Sequence, residues 1–557
     1  MAQGGKWRVW LFWVLAGCMG SLFVWLPQPT AAQGAAVDWR FGVVEAIESP
    51  SDAAALGAAW TRVRFHWAEM QPSGPADWQP PVTAAQLALE KAARREVVGM
   101  LIGIPDWARG VDRLPAGLWL DDDDPDNLWA NFVRATVTAY ASTIDHWIIW
   151  NEPDIWDPTT PGHTWDGDEA NFLQLQRVAY QAAKAANPQA VVHLAAMTYF
   201  WDAQFGREQY LQRLLNLLAA DPEAASHNHY FDVATAHIYF QPASVYDVLT
   251  AFKTILRNHG LEKPIWLVET NAPPSDDPDW PVDSVTLSVL QYEQAAFMPQ
   301  ALALALAAGA QRVAIYKLQD TAGDYAANPE PFGLVRQDGS RRPAFETAHV
   351  AFQMLAGVTA AERERWDEVG QVRLTQADRV TTVAFARLPL PQTAEVAQVG
   401  SGTTAWLVDM WGERKQITAS DGVFQVALPP AVCTQPIGDY CMIGGLVYYV
   451  VQSLEVEPLT DFPPPLATPT PLPTFTQTPA PTVTPTMMAS PTATPTLTPE
   501  PTIAPTRPPA PLPTSAAPLT LTPAGKSAPA GALPWSFWLL GAAVVTGIVL
   551  WRLWRRG

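Results

Sequence analysis

Cysteine is scarce, with three in 557 residues, which excludes a disulfide scaffold and a cysteine-rich metal site. Basic residues are outnumbered: Lys plus Arg is 35, Asp plus Glu is 54, and the net charge is −19. No long Lys/Arg cluster occurs, so the contacts that hold phosphate backbones have no source and no nucleic-acid partner is expected. No Gly-rich phosphate turn follows the first apolar segment, which argues against dinucleotide binding. Zinc-ligand spacing is absent. A Gly-x-Ser-x-Gly elbow is absent too, which excludes a serine esterase of that type. Charged residues make up only 16% against 48% hydrophobic, so a large core is available and disorder throughout is excluded.

Two residue types are abundant, 25 Trp and 53 Pro. Pro and Thr dominate residues 463–534, as in Ala-Thr-Pro-Thr at 467–470 and again at 493–496. Such a segment cannot bury a core and is expected to stay disordered and extended. At ~3.1 Å per residue its reach is on the order of 200 Å, the dimension of a stalk. Beyond it, residues 535–554 form an apolar run bracketed by Trp535, Trp538, Trp551 and Trp554. That run is expected to be a transmembrane helix, with Arg552, Arg555 and Arg556 on the cytoplasmic side. At the other end, Lys6 and Arg8 precede an apolar run and a small-residue site near Ala32, which reads as a signal peptide over 1–32. An uncleaved anchor, or acylation of Cys18 in Leu15-Ala16-Gly17-Cys18, are the alternatives. The sequence thus predicts a membrane-anchored protein at the cell surface, its ectodomain outside.

Residues 37–358 alternate short apolar runs with amphipathic stretches. Strands are expected at 39–44, 61–66, 97–102, 147–151, 191–196, 232–237, 264–269 and 312–316. Helices are expected between them at 84–95, 128–141, 169–186, 208–219, 245–258 and 291–308. The fold class is therefore α/β, a (β/α)8 TIM barrel, with a doubly wound sheet as the rival. After residue 358 short strands alone are expected, over a small all-β domain at 359–460. This domain could bind carbohydrate, though stabilising the barrel is its simpler role. Cys433 and Cys441 lie within it and are expected to pair in an exported protein.

A barrel of this kind builds its site at the C-terminal ends of its strands. There the sequence places Glu152 after Ile148-Ile149-Trp150-Asn151, and Glu269 after Ile265-Trp266-Leu267-Val268. A Glu closing an apolar strand is costly to bury unless paired or functional. Two of them facing across a barrel mouth is the constellation of retaining glycoside hydrolysis. Trp67, Trp107, Trp156, Trp165 and Trp201, near other strand ends, are candidate platforms for sugar rings. The acidic run Asp121–Asp124 reads as a solvated loop, and His227 and His229 as structural.

Asn151-Glu152-Pro153 together with Glu269 resembles glycoside hydrolase clan A, with similarity to families 39 and 5. The resemblance implies Glu152 as acid/base, Glu269 as nucleophile and Asn151 as the contact to the sugar 2-hydroxyl. His237-Ile238-Tyr239 is similar to the clan's His-x-Tyr, which implies that Tyr239 bonds the nucleophile. Val63-Arg64-Phe65 resembles the arginine segment on strand 2, which implies that Arg64 holds the nucleophile ionised. Where many members carry a Trp after strand 8, this chain has Tyr316-Lys317. Tyr316 could stack on a sugar, and Lys317 makes an acidic sugar conceivable. The expected substrate is a β-linked poly- or oligosaccharide, and neither cofactor nor metal is expected. The rival is a catalytically silent carbohydrate-binding or adhesion protein on the same barrel; the two Glu favour the enzyme, and Lys317 with the altered strand 8 leans the other way.

Overall fold

The computed structural model describes residues 37–455, apart from 161, 283, 284, 286 and 325–329. The signal peptide, Pro/Thr-rich stalk and transmembrane helix expected from the sequence lie outside the described residues. Among the described residues no helix is long and apolar enough to cross a membrane.

Eight strands form the first layer: β1 (Phe41–Val43), β2 (Trp60–His66), β3 (Glu96–Ile102), β4 (His146–Ile149), β5 (Val191–His193), β6 (Ala234–His237), β7 (Ile265–Glu269) and β8 (Arg312–Ile315). They pair in the order β5-β4-β3-β2-β1-β8-β7-β6. Every pairing between them is parallel. Parallel bridges His193–Val233 and Met197–Ala236 join the two ends of this sheet, so the expected barrel is present.

A longer helix follows each strand: α1 (Pro50–Leu56), α2 (Ala84–Ala92), α3 (Leu128–Tyr140), α4 (Glu169–Ala186), α5 (Tyr210–Ala219), α6 (Pro242–Asn258), α7 (Gln291–Ala307) and α8 (Pro343–Met354). Their starts follow from local chemistry. Thr83 and Asp168 close capping boxes with Gln86 and Asn171, and Pro occupies the first position of α1, α6 and α8. The barrel wall tolerates bulk only where the facing strand gives way. A Cβ on Gly99 would stand 2.4 Å from the Trp147 ring, so glycine there is what lets the indole lie flat against β3.

The second unit is all β. Strands β9 (Ala360–Trp366), β10 (Val369–Thr375), β11 (Arg379–Ala386), β13 (Thr404–Asp409), β14 (Arg414–Thr418) and β18 (Tyr448–Ser453) make an antiparallel sheet ordered β14-β13-β18-β11-β10-β9. Strands β12 (Gln392–Ala397) and β15 (Val423–Leu428) form a separate ribbon. Cys433 and Cys441 are disulfide-bonded, closing a loop around the short strands β16 (Pro436–Ile437) and β17 (Tyr440–Cys441).

Period-2 alternation divides the sheet's two faces. Val450 packs towards the ribbon with Phe424 and Val426, whereas Tyr449 and Val451 join the barrel's core. Helix α7 lies between barrel and sheet and is buried along most of its length, as an apolar-all-round helix must be. Gln300 on α7 donates to the Gly445 carbonyl at 3.0 Å and accepts from the Gly444 amide at 3.1 Å.

Candidate active site

The C-terminal ends of β4, β6 and β7 converge. Glu269 is the last residue of β7 and only 6% exposed. A register shift between Ala236 and His237 brings His237 opposite Glu269 across the β6–β7 pair. Such bulges re-aim a side chain beside a site. Glu152 lies just past β4, where its amide donates to the Ala196 carbonyl at 2.9 Å. The chain turns sharply there: Trp150 has φ 74° and Glu152 φ 46°. A non-glycine residue in the left-handed region costs energy and persists only when its surroundings fix it.

One of those fixings comes from Asp154. Its Oδ2 accepts from the Thr198 amide (2.8 Å), the Thr198 hydroxyl (2.9 Å) and the Tyr199 amide (3.1 Å), tying the Glu152 loop to the end of β5. Asp154 is buried, and burial together with the charge of Glu152 pushes its carboxyl up to about 7.

An oxygen of Glu152, a ring nitrogen of His237 and an oxygen of Glu269 all lie within 4.8 Å of one another. His237 Nδ1 is 2.7 Å from Glu152 Oε1, and its Nε2 is 3.5 Å from Glu269 Oε1. Arg62 Nη2 forms an ion pair with Glu269 Oε1, and the Tyr239 hydroxyl donates to Glu269 Oε2. Burial alone would raise the Glu269 pKa. The Arg62 guanidinium, His237 and the Tyr239 hydroxyl outweigh it and hold the carboxyl below its ordinary value. In turn, burial and the neighbouring Glu269 charge keep the Tyr239 phenol protonated, well above its usual range. This trio of side chains could reach a metal ion, but Arg62 sets a fixed positive charge beside it, with Nη1 3.4 Å from His237 Nε2. That disfavours a cation and suits an ionised carboxylate.

The remaining residues singled out in the sequence fall into two groups. Asn151, beside Glu152, is half-buried and bridges to Ala196. Tyr316 is also half-buried at the end of β8, edge-on to both Tyr239 and Phe332. Arg64 departs from expectation. It is largely exposed and pairs with Glu69 at 2.9 Å, and the guanidinium on Glu269 is that of Arg62. Both arginines share a face of β2 by alternation, but Arg62 sits one step deeper, at the level of the carboxylate.

Trp67 is fully buried and stacked on Phe132 at 5.0 Å, which leaves no face for a sugar. Trp107 is half-buried, edge-on to Trp67, with its indole N–H spent on the Gln71 carbonyl at 2.6 Å. Trp165 is buried against Trp150. Trp156, by contrast, is exposed on the loop after Glu152 and packs edge-on to Trp201 and Phe205. Lys317 is buried and neutralised by Glu45 (2.6 Å) and Asp324 (2.8 Å), so it is no free cation for an acidic sugar. Sequence reasoning missed Arg62 and Asp154, although Asp154 directly follows Asn151-Glu152-Pro153.

No protein-family profile matches the chain, and no curated protein matches it. Solved structures do resemble it, and these neighbours include glycoside hydrolases of families 39 and 30. A family 39 glycoside hydrolase from the gut symbiont Bacteroides cellulosilyticus WH2 is 16% identical, with a TM-score of 0.55 over 75% of this chain and 81% of that one. A monomeric beta-xylosidase from Caulobacter crescentus CB15 is 16% identical, with a TM-score of 0.49 over 76% of this chain and 98% of that one. A GH30 endoxylanase from Clostridium papyrosolvens C71 is 13% identical, with a TM-score of 0.47 over 76% of this chain and 98% of that one. The first of these likenesses shows a shared glycosidase fold.

Proposed function

We propose that the chain is a retaining glycoside hydrolase acting on a β-linked glycan or oligosaccharide. The observation that carries this reading is the Glu152–His237–Glu269 cluster at the barrel mouth, with Arg62 and Tyr239 both directed at Glu269. Two carboxylates this close fit the ~5–5.5 Å spacing of double displacement, whereas inverting enzymes keep theirs ~6.5–9.5 Å apart. Glu269, buried and held ionised, attacks the anomeric carbon as the glycosidic C–O bond breaks. Glu152 gives its proton to the departing oxygen. In the second half, Glu152 takes a proton from water, the water oxygen bonds to the anomeric carbon, and Glu269 leaves as carboxylate.

His237 links the two carboxylates. With a proton on Nδ1 it donates to Glu152, and Nε2 then accepts from Arg62. With the proton on Nε2, Nδ1 can accept from a protonated Glu152. Glu152 must alternate between acid and base, and a histidine with both arrangements open suits that alternation. In this reading Asn151, directly before Glu152, meets the sugar hydroxyl next to the bond cleaved. Of the two features that leaned towards a silent binder, Lys317 is occupied by ion pairs, and the altered end of strand 8 remains.

We also propose that the protein works at the cell surface, held there through residues 535–554 beyond the Pro/Thr-rich 463–534. The composition of those segments is what supports this.

The test is hydrolysis of a panel of β-glycans and aryl glycosides by wild type and by Glu269→Gln. Sugar release by wild type that falls at least ~10⁴-fold in the variant is expected. Undiminished release by Glu269→Gln would overturn the assignment. Glycan binding without any release would favour the silent binder.

A further inference from the structure

Barrel and β-domain enclose a cavity of about 390 Å³, away from Glu152 and Glu269 in its lining. Its size falls in the ~300–1,000 Å³ range of ligand pockets. Its walls carry two guanidinium groups, Arg363 of β9 and Arg387 just after β11. Arg387 is held flat between Trp366 and Tyr440, 4.1 Å from each ring. Its Nη1 is spent on the Trp366 and Asp367 carbonyls, at 3.1 and 2.7 Å. Its Nε and Nη2 make no hydrogen bond among the described residues. Arg363 lies over Tyr246 at 3.6 Å and reaches Asp247 through Nη1 at 3.3 Å, again leaving Nε and Nη2 without a hydrogen bond among the described residues.

The charges do not balance. Asp247 faces both guanidinium groups but offsets only one. Asp367 is near Arg387 but pairs with Arg365 at 2.7 Å. Burial, with Arg363 alongside, pushes Arg387 down to about 10. The first turn of α6 opens on the same cavity through Pro242 and Ala243, and no side chain caps it. A 17-residue helix adds positive potential there. Two clamped, half-used guanidinium forks and a helix start, with one carboxylate among them, form a receptor for a planar anion.

We propose that this cleft binds the carboxylate of an acidic saccharide unit, held by Arg363 and Arg387. The saccharide part rests on the glycosidase reading; the carboxylate part does not. The lining arginines are fixed by aromatic faces on the seam between the two units, so their forks are preorganised and little is lost on ordering them.

The test is calorimetric titration of the full chain with D-glucuronate, glucose, acetate and inorganic phosphate. Saturable binding of one glucuronate per chain is expected, with glucose bound at least ten-fold more weakly. Arg387→Lys keeps the charge but loses the fork, and Arg363→Gln keeps the size but loses the charge. Each should weaken glucuronate at least ten-fold. Asp247→Asn removes the competing carboxylate and should tighten it several-fold, a gain that a purely structural arginine pair would not produce. Glu269→Gln should leave this binding intact, so a failed glycosidase reading is seen separately. Absence of saturable glucuronate binding, or binding unchanged in both arginine variants, would overturn the proposal. Acetate or phosphate binding as tightly as glucuronate would overturn its saccharide part.

Discussion

The ends of β4 and β7 each present one glutamate to the same small space, yet the two ends are built differently. Glu269 closes a regular strand, is almost fully buried and is met by Arg62, Tyr239 and His237. Glu152 stands beyond its strand on a left-handed turn, is more accessible and has His237 as its hydrogen-bond partner. Asp154, on the same loop, is a second carboxyl close to it. The lesson is that one residue type meets two different surroundings at the two strand ends: Glu269 has cationic partners that hold it ionised, whereas Glu152 is more accessible and has the His237 ring as its partner.

That contrast can be broken from either side. After the loss already expected for Glu269→Gln, the largest effect is expected from Glu152→Gln. Glycosides with poor leaving groups should lose ~10²–10⁴-fold in rate, the usual size of a lost general acid. Activated aryl glycosides, whose leaving group needs no proton, should lose far less in the first half-reaction. Glu269→Gln should impair both classes alike. Equal losses for both classes in Glu152→Gln would erase the difference between the two strand ends.

Next in size is Arg62→Met, which leaves Glu269 buried without its charge partner. Removing one member of such a pair costs about 3–5 kcal/mol. Because Glu269 is held below its ordinary value, its stabilising contribution is present above the unfolded pKa and fades as pH falls through the folded one. Urea unfolding should therefore show the widest gap between wild type and variant at neutral pH and a narrower one in acid. A gap independent of pH would remove Arg62 as the source.

Asp154→Asn tests the other end. Its carboxyl is raised to about 7, so the stability linked to its proton is full below ~3.9 and is lost as pH rises to about 7. The variant keeps an acceptor for Thr198 and Tyr199 and should show a flatter stability profile between those values. An unchanged profile would dismiss Asp154 as a titrating neighbour of Glu152. The smallest effect is expected from Arg64→Ala. An exposed pair with Glu69 should change stability by no more than about 0.5 kcal/mol and leave turnover intact.

Much of this architecture was legible in the sequence. The eight barrel strands fall within a few residues of the apolar runs that predicted them, because a buried parallel strand must be apolar on both faces. What escaped was less periodic. Strands β9 and β14 are edges of their sheet, rich in charge, and their alternation is masked by the charges that protect an edge from pairing. Helices α1 and α8 went unassigned; α1 has only seven residues, whereas the twelve of α8 exceed the nine of α2 that was found.

The two glutamates were legible because a charge ending an apolar run is costly. Arg62 was not, because Arg62 and Arg64 share a face and alternation carries no information on depth. Trp67 misled for a related reason. A tryptophan at a strand end reads the same whether its ring faces the mouth or the core, and Phe132, which covers it, comes from α3, far along the chain.

The place of β18 has a mechanical consequence. The described chain finishes at Glu455, two residues past a strand that lies inside the six-stranded sheet rather than at its edge. Tension drawn through that exit runs along β18, whose residues pair with β11 from Arg379–Ser453 to Ala384–Tyr448 and with β13 from Trp406–Val451 to Asp409–Tyr448. An edge strand would peel away one hydrogen bond at a time. This one must shear two ladders together, so force from its C-terminal side is spread over the sheet and reaches the barrel through contacts that include Tyr449 and Val451, the Gln300 bonds to Gly444 and Gly445, and the Arg363–Asp247 pair.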